Sequence, residues 1–232
     1  MTTITFITGA NKGLGYETAR RLAGLGHTVI LGARDPRRGA APAAALGARF
    51  VQIDVTDDAS VARAAADIEA HEGRVDRLIN NAGITGRHAA VAELTGDDAQ
   101  LVLDTNVASI VRVTHAFLPL LGKSGSPAVV NVSSGMGSFT LTHDPERVES
   151  TVTSPLYTAA KAAVTMLTMQ YAKALPEIRF NAADPGYTGT DLNAHRGTQT
   201  VTEGTDAIVA LATEPAEAGT GRFVGRFGPV PW

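Results

Sequence analysis

The chain has 232 residues, 44% of them hydrophobic and 19% charged, a balance that describes one globular domain able to bury a substantial core. A formal net charge of -3 with scattered basic residues leaves no footprint for nucleic acid or a membrane surface, and the absence of cysteine excludes a disulfide framework, a thiolate metal site and a cysteine nucleophile. No uninterrupted apolar run approaches the roughly 18 residues needed to span a bilayer, and no basic stretch leads into an apolar signal core, so the expectation is a soluble cytoplasmic protein.

Short apolar runs alternate with helical patterns along the whole chain. Strands are expected at Ile4 to Ile7, His27 to Ala33, Arg49 to Ile53, Arg77 to Asn80, Ala128 to Val132 and Ile178 to Ala182, with Phe223-Val224 as a short seventh. Helical patterns follow the first strand, run from about Pro36 to Leu46, and continue from a cap at Asp57 to about His71. Longer helices are expected at about 97–121, 155–175 and 202–213. Strand and helix in alternation imply right-handed crossovers and a doubly wound parallel sheet covered on both faces, here in one domain spanning 1–232. Ligands of such sheets lie beyond the carboxyl ends of the strands. Asn11, Arg34, Asp54, Asn80, Asn81, Ser133, Ser134 and Asp184 all fall at or just after strand ends, and so converge on one rim.

The first strand runs into Thr8-Gly9-Ala10-Asn11-Lys12-Gly13-Leu14-Gly15 and then into a helix. Glycines let the backbone approach a pyrophosphate, and the helix start offers unpaired N–H groups and a positive dipole end. The spacing is G-x-x-x-G-x-G, which differs from the G-x-G-x-x-G fingerprint. After strand two, Arg34 and Asp35 give competing signals: arginine suits a 2′-phosphate, whereas an acid about 20 residues past the glycines suits free ribose hydroxyls. Lys12 adds a second cation, so NADP(H) is favoured over NAD(H), against a reading in which Arg34 and Lys12 are solvated charges with Arg34 paired to Asp35. Asp54 either accepts from an adenine amino group or caps its own loop. Asn80-Asn81-Ala82-Gly83 is either a close approach to a flat ring braced by amides or a bland Asn-rich turn.

Tyr157 and Lys161 are four residues apart on a helical pattern and share a face. A phenol titrates near pH 10, and a neighbouring ammonium favours its phenolate, so the pair suits proton exchange with an alkoxide formed by hydride transfer. Ser134 is placed to hydrogen-bond a carbonyl oxygen as charge develops, and Asn106 to hold a water on a proton path to Lys161. On its own, Tyr-x-x-x-Lys more often marks a packing tyrosine beside a solvated lysine; the glycine turn and the strand-end serine reverse that balance.

Taken in order, Thr8-Gly9-x-x-x-Gly13-x-Gly15, Asp54, Asn80-Asn81-Ala82-Gly83, Asn106, Ser134, Tyr157-x-x-x-Lys161 and Asp184-Pro185-Gly186 with Thr188 and Thr190 resemble the short-chain dehydrogenase/reductase family over nearly the whole chain. Lys12 in Ala-Asn-Lys-Gly resembles its carbonyl-reductase branch. The resemblance implies a Rossmann-type fold and catalytic Tyr157, Lys161, Ser134 (rather than Ser133) and Asn106, with Lys161 also on the nicotinamide ribose. It implies NADP(H) contacts from Gly9, Asn11, Lys12, Gly13, Leu14, Gly15, Arg34, Asp54, Val55, Asn81, Ala82, Gly83, Tyr157, Lys161, Pro185, Gly186 and Thr188. The family's NAD-type acid aligns with Ala33, not Asp35, which supports Arg34.

Ser134 and Tyr157 lie 23 positions apart, about ten more than many members show. The extra segment, roughly Phe139 to Thr153, is expected to line the substrate pocket; in carbonyl-reductase-like members such a segment can cover the helix used for dimerisation, so a monomer or small homo-oligomer is expected. The stretch around 188–200 serves as a short lid, implying an open pocket. The six histidines show no metal-ligand spacing, so no metal is expected, and His195 in the lid reads as a surface residue before a substrate contact. The expected function is an NADPH-dependent aldehyde or ketone reductase, or the reverse alcohol oxidation. The alternatives are a non-catalytic NADP(H)-binding sensor and a nucleotide-sugar epimerase or dehydratase. The first would lack the tyrosine or lysine, and the second would carry differently spaced glycines and a longer substrate domain.

Overall fold

The computed structural model describes residues 2–232. Strands β1 (Ile4–Ile7), β2 (Thr28–Ala33), β3 (Arg49–Gln52), β4 (Arg77–Asn80), β5 (Ala128–Val132), β6 (Arg179–Asp184), β7 (Phe223–Gly225) and β8 (Gly228–Pro229) form one sheet of order β3-β2-β1-β4-β5-β6-β7-β8. Every pairing is parallel except β7 with β8, so the sheet is mostly parallel and carries an antiparallel edge ribbon that the sequence pattern did not reveal. The strand order reverses between β1 and β4, where ligands of such sheets bind.

Successive strand residues point to opposite faces, and the sequence fills both faces with apolar side chains. Phe6, Ile30, Leu78 and Val129 face one core with α3 (Asp58–Glu72), α5 (Ser109–Leu121) and α8 (Pro155–Ala174). Their neighbours Ile7, Leu31, Ile79 and Val130 face the other, against α1 (Gly13–Gly24), α2 (Pro36–Ala45) and α10 (Asp206–Thr213). Asp57 caps α3 as expected, its side chain accepting from Ala59 N at 2.9 Å. The helix ends at Gly73, whose φ of 75° lets its N–H reach back to the Ile68 and Glu69 carbonyls.

The long helix expected at 97–121 is two helices, α4 (Gly96–Leu103) and α5, joined by a π turn at Asp104–Ala108. This stretch of 26 residues is apolar enough by composition to cross a membrane, but Val113, Phe117, Leu120 and Leu121 are built into the core. The helix expected at 202–213 likewise divides into α9 (Val201–Gly204) and α10. The insertion after Ser134 folds into α6 (Phe139–His143) and α7 (Val148–Thr151). Residue 232 ties it to the sheet edge: the Trp232 carbonyl accepts from Thr140 N and Oγ1, and its ring lies 5.8 Å from that of Phe223.

Candidate active site

Parallel register brings the strand ends together. Ile7 pairs with Ile79, Asn80 with Asn131 and Val132 with Ala183, so the loops after β1, β4, β5 and β6 emerge side by side. The glycine turn crosses this rim. Gly9 and Gly13 have φ of 64° and 55°, and a Cβ on Gly15 would stand 2.5 Å from the Gly9 carbonyl, so all three positions require glycine. Lys12 precedes α1 without a side-chain cap, which leaves the first-turn N–H groups available to an anion. Asn81 braces the turn: its Nδ2 donates to the Thr8 and Gly9 carbonyls at 2.9 and 3.1 Å. The Thr8 hydroxyl in turn accepts from Asn81 N and Ala82 N. Thr8 is thus a structural member of the turn, and its signal in the sequence is a hydroxyl directly before the first glycine. Asn80 is a core residue, donating to Asn131 Oδ1 at 2.8 Å.

After β2 the two competing residues differ in their local partners. Asp35 is the cap of α2, accepting from Arg37 N at 2.9 Å and lying 3.6 Å from Arg38, while Arg34 is exposed. Asp54 takes the capping role, its Oδ1 accepting from Thr56 N at 3.0 Å and Thr56 Oγ1 at 2.7 Å; those bonds, with Arg34 and Arg112 nearby, outweigh burial and hold its pKa below the ordinary value. Val55 is buried behind it. Lys12 reaches across to the stretch after β6 instead of towards β2: its Nζ donates to Asp191 Oδ2 at 2.6 Å, and Asp191 also meets His195 Nε2 at 2.8 Å. Pro185 and Thr188 are buried and Gly186 has φ of 66°, with Thr188 Oγ1 donating to the Pro185 carbonyl at 2.8 Å. Asn11 and Leu14 are half-buried in the glycine turn, and Ala82 and Gly83 in the loop after β4.

At the chemical end, α8 starts at Pro155 and presents Tyr157 and Lys161 one turn apart. Its backbone packs directly on the loop after β5, where a Cβ on Gly137 would lie 2.7 Å from the Lys161 carbonyl. Ser133 is structural, its Oγ donating to that carbonyl at 3.0 Å, whereas Ser134 lies beside the Tyr157 phenol. The Lys161 ammonium donates to the Val132 carbonyl at 2.8 Å and lies 5.5 Å from the centre of the Tyr157 ring. Asn106 sits in the π turn with both side-chain arms on the Ile84 backbone, at 2.8 Å each. A Cβ on Gly83 would stand 3.3 Å from Asn106 Oδ1 and 3.7 Å from Lys161 Nζ, so both groups flank the same glycine.

One electrostatic expectation is corrected. Burial, not the lysine, dominates the phenol: Tyr157 is pushed up to about 12, partly opposed by Ser134. Lys161 is brought down to about 8 by its own burial, with Asp184 opposing. The insertion lines a cavity of about 420 Å³ with Met136, Phe139, Val152, Pro155, Thr158 and Ala162, whose lining includes neither Ser134 nor Tyr157. Among the described residues no group of His, Asp or Glu is arranged to hold a metal ion.

Comparison with known proteins agrees with this geometry. Residues 3–200 match the family model for short chain dehydrogenases. The chain is 29% identical to a (+)-neomenthol dehydrogenase from Capsicum annuum, covering 95% of this chain and 94% of that protein. It is 32% identical to short-chain dehydrogenase/reductase 1 from Saponaria officinalis, covering 97% and 95%. An NADPH-bound carbonyl reductase from chicken fatty liver superposes with a TM-score of 0.88 at 28% identity, covering all of this chain and 99% of that one. A glycine turn braced by Asn81, a Ser134–Tyr157–Lys161 cluster on one rim and a family match across most of its length together mean that the chain belongs to the short-chain dehydrogenase/reductase family.

Proposed function

We propose that the chain is an NADPH-dependent carbonyl reductase acting on an aldehyde or ketone. The observation that carries the reading is the meeting of Ser134, Tyr157 and Lys161 at the strand ends beside an uncapped helix start preceded by glycines. The uncapped first turn of α1 would hold the pyrophosphate, Gly83 and the Pro185–Gly186 turn would admit the nicotinamide half, and the second carboxylate oxygen of Asp54 would meet the adenine amino group. Arg34, freed by the use of Asp35 as a helix cap, supports the 2′-phosphate. Lys12 can join it, because its pair with Asp191 is exposed and screened by solvent. A reduced nicotinamide bound there would supply the hydride.

The Ser134 hydroxyl donates to the carbonyl oxygen and stabilises charge developing there. Tyr157, at about 12, keeps its proton at neutral pH and donates it to the forming alkoxide. Lys161 is mostly cationic at pH 7 and stabilises the resulting phenolate, with the Val132 carbonyl orienting its ammonium. Asn106 shapes the path beside Lys161 through its hold on Ile84. The names of the relatives, a neomenthol dehydrogenase and a carbonyl reductase, support an alcohol/carbonyl pair as substrate.

The test is a panel of aldehydes and cyclic ketones with NADPH or NADH, run on wild type and Tyr157→Phe. NADPH should be preferred by about tenfold or more in kcat/KM, and the variant should lose roughly 100- to 10,000-fold in kcat with unchanged NADPH affinity. A clear NADH preference overturns the cofactor assignment. Near-normal turnover by the variant overturns the mechanism, and NADPH binding without turnover of any carbonyl favours the sensor.

A further inference from the structure

Asp184 closes β6 and is 8% exposed; its charge favours the cationic form of Lys161, yet neither the strand ladder nor the proton steps above place a bond on its carboxylate. Its Oδ1 accepts from two loops at once. Gly135 N, directly after Ser134, donates at 2.8 Å, and Gly186 N, in the turn after β6, donates at 2.9 Å. The other oxygen faces the insertion: a Cβ on Gly135 would lie 3.2 Å from Asp184 Oδ2 and 2.7 Å from Glu149 Oε1, so two carboxylates close on one glycine. Glu149 is buried and held by Arg147 at 3.1 Å. Burial, with Glu149 nearby, pushes the Asp184 carboxyl up from its ordinary range, so the chain carries a cost to keep this group in place.

We propose that Asp184 is a positioning residue for carbonyl reduction, its Oδ1 fixing the Ser134 loop against the Pro185–Gly186 turn so that the oxygen-binding hydroxyl and the nicotinamide-facing backbone keep one spacing. The proposal rests on the reductase reading above. Hydride transfer depends on the separation between donor and carbonyl carbon, and these two loops bound the place where the two meet. A misplacement of about 1 Å is enough to cost on the order of 100-fold in rate.

The test compares Asp184→Asn, which keeps an acceptor oxygen at the same place, with Asp184→Ala, which removes it. Asp184→Ala should lower kcat by about tenfold or more, with carbonyl KM and NADPH dissociation constant within roughly threefold of wild type. Amide hydrogen exchange at Gly135 and Gly186 should accelerate while β5 and β6 stay protected. Asp184→Asn should restore the protection and most of the rate, since it keeps the acceptor oxygen and loses only the charge near Lys161. Wild-type kcat in Asp184→Ala, or Asp184→Asn no better than Asp184→Ala, overturns the proposal. Should Asp184→Ala fail to fold, Gly135→Ala drives a methyl between the two carboxylates and should lose kcat without losing NADPH affinity; an unchanged kcat there overturns it equally. If wild type binds NADPH but reduces no carbonyl, the reductase reading fails, while the exchange protection of the two glycines still decides whether Asp184 joins the loops.

Discussion

Replacing Asn81 by alanine removes the brace of the glycine turn without touching a glycine. Two donated hydrogen bonds disappear, to the Thr8 and Gly9 carbonyls at 2.9 and 3.1 Å, and Thr8 is 2% exposed, so water does not readily replace them. At about 1 kcal/mol net for each bond, plus part of the desolvation of an orphaned carbonyl, the loss is about 2–3 kcal/mol. For a domain of this size that corresponds to a fall in Tm of roughly 5–10 °C. A loosened turn must be reordered by the ligand, so NADPH binding followed by fluorescence titration should weaken by roughly 10- to 50-fold. Asn81→Asp should be worse than Asn81→Ala, because an acceptor-only carboxylate would face two carbonyl oxygens. If Asn81→Ala binds NADPH within twofold of wild type and melts within about 1 °C of it, the turn is held by something else and the account of the cofactor end is wrong.

Arg34→Asp should weaken NADPH roughly 10- to 100-fold while leaving NADH within a few-fold, measured by titration; equal losses for both cofactors would remove Arg34 from the 2′-phosphate. Lys161 has an ordinary pKa of 10.5 and a folded value of about 8, so its burial penalty is fully present below pH 8 and disappears as pH rises to 10.5. Urea unfolding should therefore find inactive Lys161→Met more stable than wild type at pH 7, on the order of 2–3 kcal/mol, with the gap closing by pH 10.5; a gap independent of pH contradicts the burial argument. Phe6 and Phe117 stack at 4.8 Å between ring centres and are both fully buried, so Phe117→Ala should cost about 3–5 kcal/mol in chemical denaturation and leave KM unchanged in the surviving folded fraction.

The parts of the site that were legible in sequence are those with a local signature. The glycine turn declares itself because positive φ and close approach admit few other residues, and Tyr157 with Lys161 because a helix fixes what four positions of spacing mean. Ser134 could be separated from Ser133 only through the family resemblance, and the structure supplies the physical reason: the Ser133 hydroxyl is spent on the Lys161 carbonyl. Helix boundaries failed where tertiary contact overrides periodicity. The pattern at 97–121 keeps a helical spacing of apolar positions on both sides of Asp104-Thr105-Asn106, and that spacing does not separate an α turn from the π turn that brings Asn106 onto Ile84.

The sequence by itself determined the alternation of elements, the two-faced core and the cofactor turn, because these depend on residue type within a few positions. Only the tertiary structure decided the balance of charges and the partners of long side chains. Lys12 extends to Asp191, 179 positions away, and Asp184 joins two loops that β5 and β6 carry side by side. Desolvation belongs to the same class. Whether a phenol is raised by burial or lowered by a neighbouring ammonium depends on how much water the packed helix leaves around it, and no spacing along the chain encodes that quantity.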